Sequence, residues 1–396
     1  MRTAGIVAEY NPFHFGHLYQ LNECRKQMGV EAPVFAVMSG DYVQRGEPAF
    51  FDKFSRAGAA CANGVNAVFE LPLPWCCATA EIFAAGAVLE LAALGVTDLF
   101  FGSENGDAAV LEKTADILLS PEFGGRLNKK LETERSLPYA AAREQVLMSM
   151  DGTEGILSMP NNILAVEYIK AIKRFEIDMD IHAIARVGSG HDSSEASGEF
   201  LSAKEIRRRL RGGDKPESLL PAASERIFAR ELEKDRYCSA DDRLMLSRLL
   251  SLSKSECENF AYCSGGLGNA VYEAVHSCRS VEEITEKLTG KTFTRARVRR
   301  ALTACCLGNT VEPSDRGPGY ARLLAADAAG RRALKERRGA TDIPVITKAA
   351  DIRKSGVENT SVFSLCASAH DFYMLCMESR ESYVPDEDWS RGPVLL

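Results

Sequence analysis

A chain of 396 residues with 45% apolar content has ample core-forming sequence for two or three domains. No stretch approaches eighteen uncharged apolar residues, and the start lacks the charged-then-apolar pattern of a secretory signal, so a cytoplasmic protein with no membrane association is expected. The net charge of -7, from 48 Lys and Arg against 55 Asp and Glu, gives no overall attraction for nucleic acid, and any RNA contact must use local patches. The twelve cysteines, among them the adjacent pairs Cys76-Cys77 and Cys305-Cys306, lie among apolar neighbours, as reduced core thiols do.

In chain order, Thr3 to Glu9 is short, apolar and β-tolerant, Asn11-Pro12 breaks it, and helical spacing resumes at Leu18. A strand therefore hands directly to a helix. His14 and His17 stand three apart and share a face on the first turn, and Gly16 between them is expected to leave room for close approach of a ligand. A helix N-terminus offers unpaired N–H donors and partial positive charge, and imidazoles beside it can donate to phosphate oxygens. The alternative, half of a metal site, needs partners at ligand spacing. The chain contains no Cys-x-x-Cys pair and no His-Glu-x-x-His helix, so no dedicated metal site is expected.

Further strands are predicted at Val34 to Met38, Asn66 to Leu71, Thr97 to Phe101 and Asp180 to Arg186. Helices are predicted at Asp52 to Asn63 and Thr79 to Leu94, and again after Met159-Pro160-Asn161-Asn162, where the asparagines could simply cap. This alternation argues for an α/β fold, a parallel sheet with helices on both faces whose ligands bind beyond the carboxyl ends of the strands. Gly102-Ser103-Glu104 sits at such an end. Ser202 with Glu205 three residues on forms a capping box for the next helix. Arg45 and Lys53 are either ordinary exposed charges or the lining of one end of the cleft, and Trp75 is read as packing. From Gly212 the alternation stops and a mostly helical domain is expected, with arginine clusters at 207–211, 295–300 and 331–338 and a loosely held tail from Val384 to Leu396.

The run IVAEYNPFHFGHLYQL resembles the His-x-Gly-His signature of the nucleotidyltransferase superfamily. Together with VMSGDYVQRGEPAFFDKFSRA, ELPLPW, LFFGSE, PNNILAVEYIKAI and SAKEIRRRL in this order, and with GPGYARLLAADAAGRRALKE and IPVITK further on, the chain resembles the tRNA(Met) cytidine acetate ligase family over nearly its whole length. The resemblance implies a Rossmann-like nucleotidyltransferase domain at 1–211 and a mostly helical, tRNA-binding domain at 212–396. It implies an enzyme that activates acetate with ATP as acetyl-adenylate, Mg²⁺ accompanying the ATP, and acetylates N4 of the wobble cytidine of elongator tRNA(Met). A small-molecule adenylyltransferase shares the histidine motif and is the rival reading.

Carried over by matching position, the nucleotide contacts are Val7, Ala8, Glu9, Tyr10, Asn11, Pro12, Phe13, His14, Phe15, Gly16, His17, Leu18, Tyr19 and Gln20, with Gly102, Asn162, Arg186 and Val187. Acetate is an anion at neutral pH, so its attack on the α-phosphorus needs charge cancellation rather than a general base. His14 and His17 are the expected phosphate donors, with Arg186 and Arg207 as cationic clamps. Arg295, Arg297, Arg299 and Arg300 lie in a stretch with little acidic compensation and are the expected tRNA contacts.

Overall fold

The computed structural model describes residues 2–134, 137, 139–150, 155–186, 200–313, 315–337, 339 and 341–396. The first half runs β1 (Ala4–Ala8), α1 (Phe15–Met28), β2 (Val34–Ser39), the hairpin β3 (Tyr42–Val43) and β4 (Glu47–Pro48), α2 (Lys53–Ala62), β5 (Ala67–Leu71), α3 (Ala80–Ala93) and β6 (Asp98–Ser103). Three helices not anticipated from the sequence follow, α4 (Ala108–Leu119), α5 (Pro121–Thr133) and α6 (Tyr139–Met148). Then come α7 (Pro160–Arg174), β7 (Asp180–Ala185) and α8 (Ala203–Arg211).

Each predicted strand appears within a residue or two of its expected ends. The two predicted helices keep their terminal residues as caps, Asp52 accepting from the backbone N–H groups of Phe54 and Ser55. In β2, Phe35 and Val37 face a core shared with α3 and α7, while Val34, Ala36 and Met38 face one shared with α1, α2 and α8. The sheet is thus covered on both faces, as near-continuous apolar strands require.

After residue 211 come α9 (Ala222–Glu233), α10 (Arg243–Leu250), α11 (Lys254–Asn259), α12 (Leu267–Val275), α13 (Val281–Leu288), α14 (Arg295–Leu307), β8 (Ala321–Ala326), α15 (Ala328–Glu336), β9 (Val345–Ile346), α16 (Val357–Leu375), α17 (Glu387–Ser390) and β10 (Val394–Leu395). This half is mostly helical, and α10 to α14 enclose an apolar core of their own around Leu267, Val271, Ile284 and Leu302. It also returns three strands to the sheet, whose order is β10-β8-β5-β2-β1-β6-β7 with β9 beside β8. All pairs in that sheet are parallel except β5 with β8. The expectation of a loosely held tail is corrected here. Val394 and Leu395 pair with Ala325 and Ala326, and Asp388 is fully buried.

Asp388 belongs to a cluster of charges inside the protein. Lys53 Nζ donates to Asp388 at 2.6 Å and to Glu70 at 2.9 Å, and Arg322 donates to the same two carboxylates at 2.7 and 3.3 Å. His370 lies 2.7 Å from Asp41 and 3.3 Å from Glu387. Lys53 is fully buried, so it is neither an exposed charge nor a wall of the cleft. Trp75 packs so closely on α3 that a side chain at Gly86 would collide with it, which settles it as a core residue.

Candidate active site

From β1 the chain crosses to β2 on one side and later to β6 on the other, so the crevice of the open sheet lies at the carboxyl end of β1. There the chain turns through Tyr10, which has a left-handed φ of 43°, and enters α1 with His14 as its N-cap. Histidine is outside the usual capping set of Ser, Thr, Asp and Asn, but its Nδ1 accepts from the Gly16 N–H at 3.0 Å. His17 answers by accepting at Nδ1 from the His14 N–H at 3.3 Å, closing a capping box made of two imidazoles.

An Nδ1 that accepts carries no proton, so the neutral rings hold theirs on Nε2. The rings stack at 3.9 Å. Burial, with Arg186 and Arg207 nearby, pushes His14 down to about 3. Burial, then His14 and Arg186, holds His17 well below the usual imidazole range. Both are therefore fixed neutral donors across physiological pH. Gly16 also serves the cap itself. A Cβ there would lie 2.9 Å from the His14 ring, so the glycine makes room for the imidazole.

The second wall comes from β6, α7 and β7. Asn161 and Asn162 occupy the first turn of α7, but their side chains do not cap it. Glu104 does so instead, accepting from the N–H groups of Asn161 at 3.2 Å and Asn162 at 2.8 Å, and from the Asn161 side-chain amide at 2.5 Å. That frees Asn162 Oδ1 to accept from Ser103 Oγ at 2.7 Å and the Asn105 N–H at 3.1 Å, and Asn161 Oδ1 to accept from Arg186 at 3.3 Å. A Cβ added at Gly102 would lie 3.5 Å from Cγ of Arg186, whose side chain is exposed. Because Glu104 occupies the α7 N-terminus, the helix ends left for an anion are those of α1 and α8.

α8 supplies the third wall. Ser202 Oγ accepts from the Glu205 N–H at 3.2 Å, but the reciprocal half of the expected capping box is absent. Glu205 turns instead to Arg208 and Arg209, at 2.6 and 3.0 Å. Arg207 donates to the Asn11 carbonyl at 2.7 Å, tying α8 to the histidine loop.

The expected site residues are thus brought together, with three exceptions. Tyr10 and Phe13 are buried in the core, so their side chains are not open to a ligand. Val187 lies outside the described residues. The four expected tRNA-binding arginines sit on α14, away from this loop: Arg295 and Arg299 pair with Glu282, and Arg299 also with Glu47. Arg297 donates to Ser264, and Arg300 is buried against the Ala78 carbonyl. Their acidic compensation comes from 13 or more positions away, where local charge counting does not look.

Sequence reasoning missed two supports. In the sequence Glu104 reads only as a residue at a strand end. Arg56, fully buried, donates to the carbonyls of Phe51 at 2.9 Å, Glu9 at 2.6 Å, Ser39 at 3.2 Å and Gly40, and so braces the carboxyl ends of β1 and β2. Nothing local to residue 56 signals carbonyl partners up to 47 positions away.

A histidine pair capping the helix after β1 of a mostly parallel sheet defines a nucleotidyltransferase site, and the family described as HIGH Nucleotidyl Transferase matches residues 1–387. Relatives called tRNA(Met) cytidine acetate ligase are 36% identical in Syntrophotalea carbinolica, over 89% of this chain and 86% of that protein, and 36% identical in Caldanaerobacter subterraneus subsp. tengcongensis, over 96% of each. The apo crystal structure of Thermotoga maritima TmcAL superposes with a TM-score of 0.93 at 32% identity over the whole of both chains. A second form of that protein, bound with alpha-thio ATP, gives 0.91. The chain belongs to the tRNA(Met) cytidine acetate ligase family.

Proposed function

We propose that this protein condenses acetate with ATP to acetyl-adenylate and pyrophosphate, and then acetylates N4 of the wobble cytidine, position 34, of elongator tRNA(Met). The observation that carries the site assignment is the reciprocal His14–His17 cap. It leaves two neutral Nε2–H donors at a helix N-terminus, where a triphosphate has most to gain. Membership of the ligase family supports the acceptor, and the Thermotoga protein solved with alpha-thio ATP supports the nucleotide.

In the first step an acetate oxygen forms a bond to the α-phosphorus as the bond to the β-phosphate oxygen breaks. Negative charge builds on the phosphoryl oxygens, and His14, His17, Arg186 and Arg207 are the groups proposed to meet it. The nucleotide would lie along residues 7–20, bounded by Gly102, Asn162, Arg186 and Val187. In the second step the cytosine amine attacks the acyl carbon, loses a proton, and AMP leaves. Mg²⁺ would arrive on the triphosphate as part of the substrate. Magnesium held this way is carried mainly by phosphate oxygens and water. Residues 1–211 carry this chemistry, while 212–396 complete the sheet and supply the helical body.

The test is to incubate the protein with ATP, labelled acetate and tRNA and digest to nucleosides. Label in N4-acetylcytidine is expected. Label confined to a small nucleotide product that needs no tRNA would replace this reading with that of a small-molecule adenylyltransferase.

A further inference from the structure

In an acidic chain, the segment from 204 to 236 reverses the sign, with ten Lys and Arg against seven Asp and Glu. It also begins inside the site, since Arg207 on α8 holds the Asn11 carbonyl. α8 ends with Arg211 exposed, its guanidinium 5.0 Å from the centre of the Phe50 ring. Phe51 next to it stacks on Phe228 of α9 at 4.3 Å, while Ser224 bonds to Asn63 at the far end of α2. α9 therefore runs antiparallel to α2, and its later turns come back towards the carboxyl ends of the strands.

The inner face of α9 is Ser224 and Phe228. On the outer face Arg226, Arg230 and Lys234 are exposed at i, i+4 and i+8, about 6 Å apart along the axis. Like charges at this spacing oppose the helix. Glu205 is engaged by Arg208 and Arg209, and Glu231 by Arg236. Glu217, Glu225, Glu233, Asp214 and Asp235 flank the row, yet among the described residues none of Arg211, Lys215, Arg226, Arg230 and Lys234 forms an ion pair with a carboxylate. The arginines of α14 are the reverse case, closed on Glu282, Glu47 and backbone carbonyls.

Resting on the reading that the acceptor is a tRNA, we infer that the RNA phosphodiester backbone is held along Arg211, Lys215, Arg226, Arg230 and Lys234, with α14 serving only as a brace. A row of cations with free donors suits a repeating anion, because each contact releases counterions from the phosphates. The row starts where α8 leaves the nucleotide site, so a strand bound along it can deliver an unpaired base to the cleft.

The test measures tRNA affinity between about 50 and 200 mM salt for the full chain and for a variant with Arg226, Arg230 and Lys234 changed to Gln. We expect at least tenfold weaker binding and a log–log salt slope flatter by roughly 2 to 3. Acetate-dependent exchange of pyrophosphate into ATP should stay unchanged. On the unaltered protein, bound tRNA should shield Lys215 and Lys234 from amine acylation but not the exposed Lys354, which requires no variant to fold. Undiminished affinity, absent shielding, or loss of affinity only when Arg295 and Arg297 are changed would overturn the inference and leave the ligase reading standing. A wild-type protein that binds no tRNA even at low salt would instead sink the reading on which it rests.

Discussion

Two regions of this molecule gather charge, and they do so in opposite ways. In the cleft beyond β1, among the described residues, the imidazoles of His14 and His17 use only Nδ1 and Arg186 is exposed with one long bond to Asn161. In the interior, Lys53, Arg322 and His370 are closed on Asp41, Glu70, Glu387 and Asp388. Both regions contain conspicuous titratable residues, so residue type alone does not separate them. Unsatisfied donor capacity does. A cation whose donors end inside the protein braces the fold, and one whose donors remain open is available to a ligand. The same rule separates α14 from α8 and α9.

The sharpest break should come from the interior. Asp388→Ala leaves Lys53 and Arg322 buried with Glu70 as their main counter-ion, and breaking such a pair costs about 3–5 kcal/mol. Denaturant unfolding should show a loss of that order, and because α17 precedes β10, the edge of the sheet should open with it. A variant that unfolds at the wild-type midpoint would mean that the cluster contributes nothing to holding the C-terminal segment. Replacing Glu205, which pairs with Arg208 and Arg209 at the surface, should leave the midpoint unmoved.

The cleft should respond in rate. His14→Asn keeps a side-chain acceptor at the cap and removes the imidazole, so stability should hold while acetate-dependent pyrophosphate exchange falls about a hundredfold, or roughly 3 kcal/mol. His17→Ala should lower exchange by a similar factor, at a cost of about 1 kcal/mol in stability for the lost bond from the His14 N–H. If exchange survives in both, these donors do not face the phosphates, and the contrast between open and closed charges loses its functional meaning.

The two regions also hold histidines displaced in opposite directions, which gives a test in pH. Burial lowers His14 to about 3, so the folded state disfavours its proton; the stability it contributes is present above about 6.5 and is lost as pH falls towards 3. Burial also opposes charge on His370, but Asp41 and Asp388 outweigh it and lift it to about 10. Its contribution is complete below about 6.5 and is lost as pH rises through 10, on the order of a few kcal/mol. His370→Gln should flatten the alkaline side of the stability curve, measured by unfolding between pH 7 and 10. Pyrophosphate exchange should meanwhile show no imidazole inflexion between pH 5.5 and 8. A rate that follows a group near pH 6.5 would mean that His14 or His17 gains a proton in the reaction.

What could be read from the sequence follows the range over which each feature is encoded. β1, β2, β5, β6 and β7 are short apolar runs between turn residues, and the histidines lie three apart, so both fold and motif are local signals. β8, of the composition ARLLAA, is equally short, but periodicity cannot tell a buried strand of six residues from a helical turn, and it sits in a helical stretch. The charge cluster joins Lys53 to Asp388 across 335 positions, and nothing near either residue encodes the other. Gly16 shows a subtler limit: the sequence marks a glycine where space is needed, without saying whether a ligand or the neighbouring imidazole fills it.

The smallest expected effect separates open from closed charge within the cleft itself. Glu104 stands beside a site proposed for anions, yet both its oxygens are taken by N–H donors of Asn161 and Asn162, so it serves as the cap of α7 and its repulsion of a nucleotide is expected to be small. In Glu104→Gln one oxygen becomes an amide that faces an N–H donor, so at least one bond is lost, worth about 1 kcal/mol. Asn161 would then hold Arg186 less firmly, and the α7 N-terminus would regain partial positive charge in competition with α1 and α8. KM for ATP should rise about fivefold to tenfold with kcat nearly unchanged, because a misplaced clamp weakens binding of ground and transition states alike. A rise in affinity for ATP would show the opposite, that the Glu104 charge repels the triphosphate and that its bonds to α7 only partly quench it.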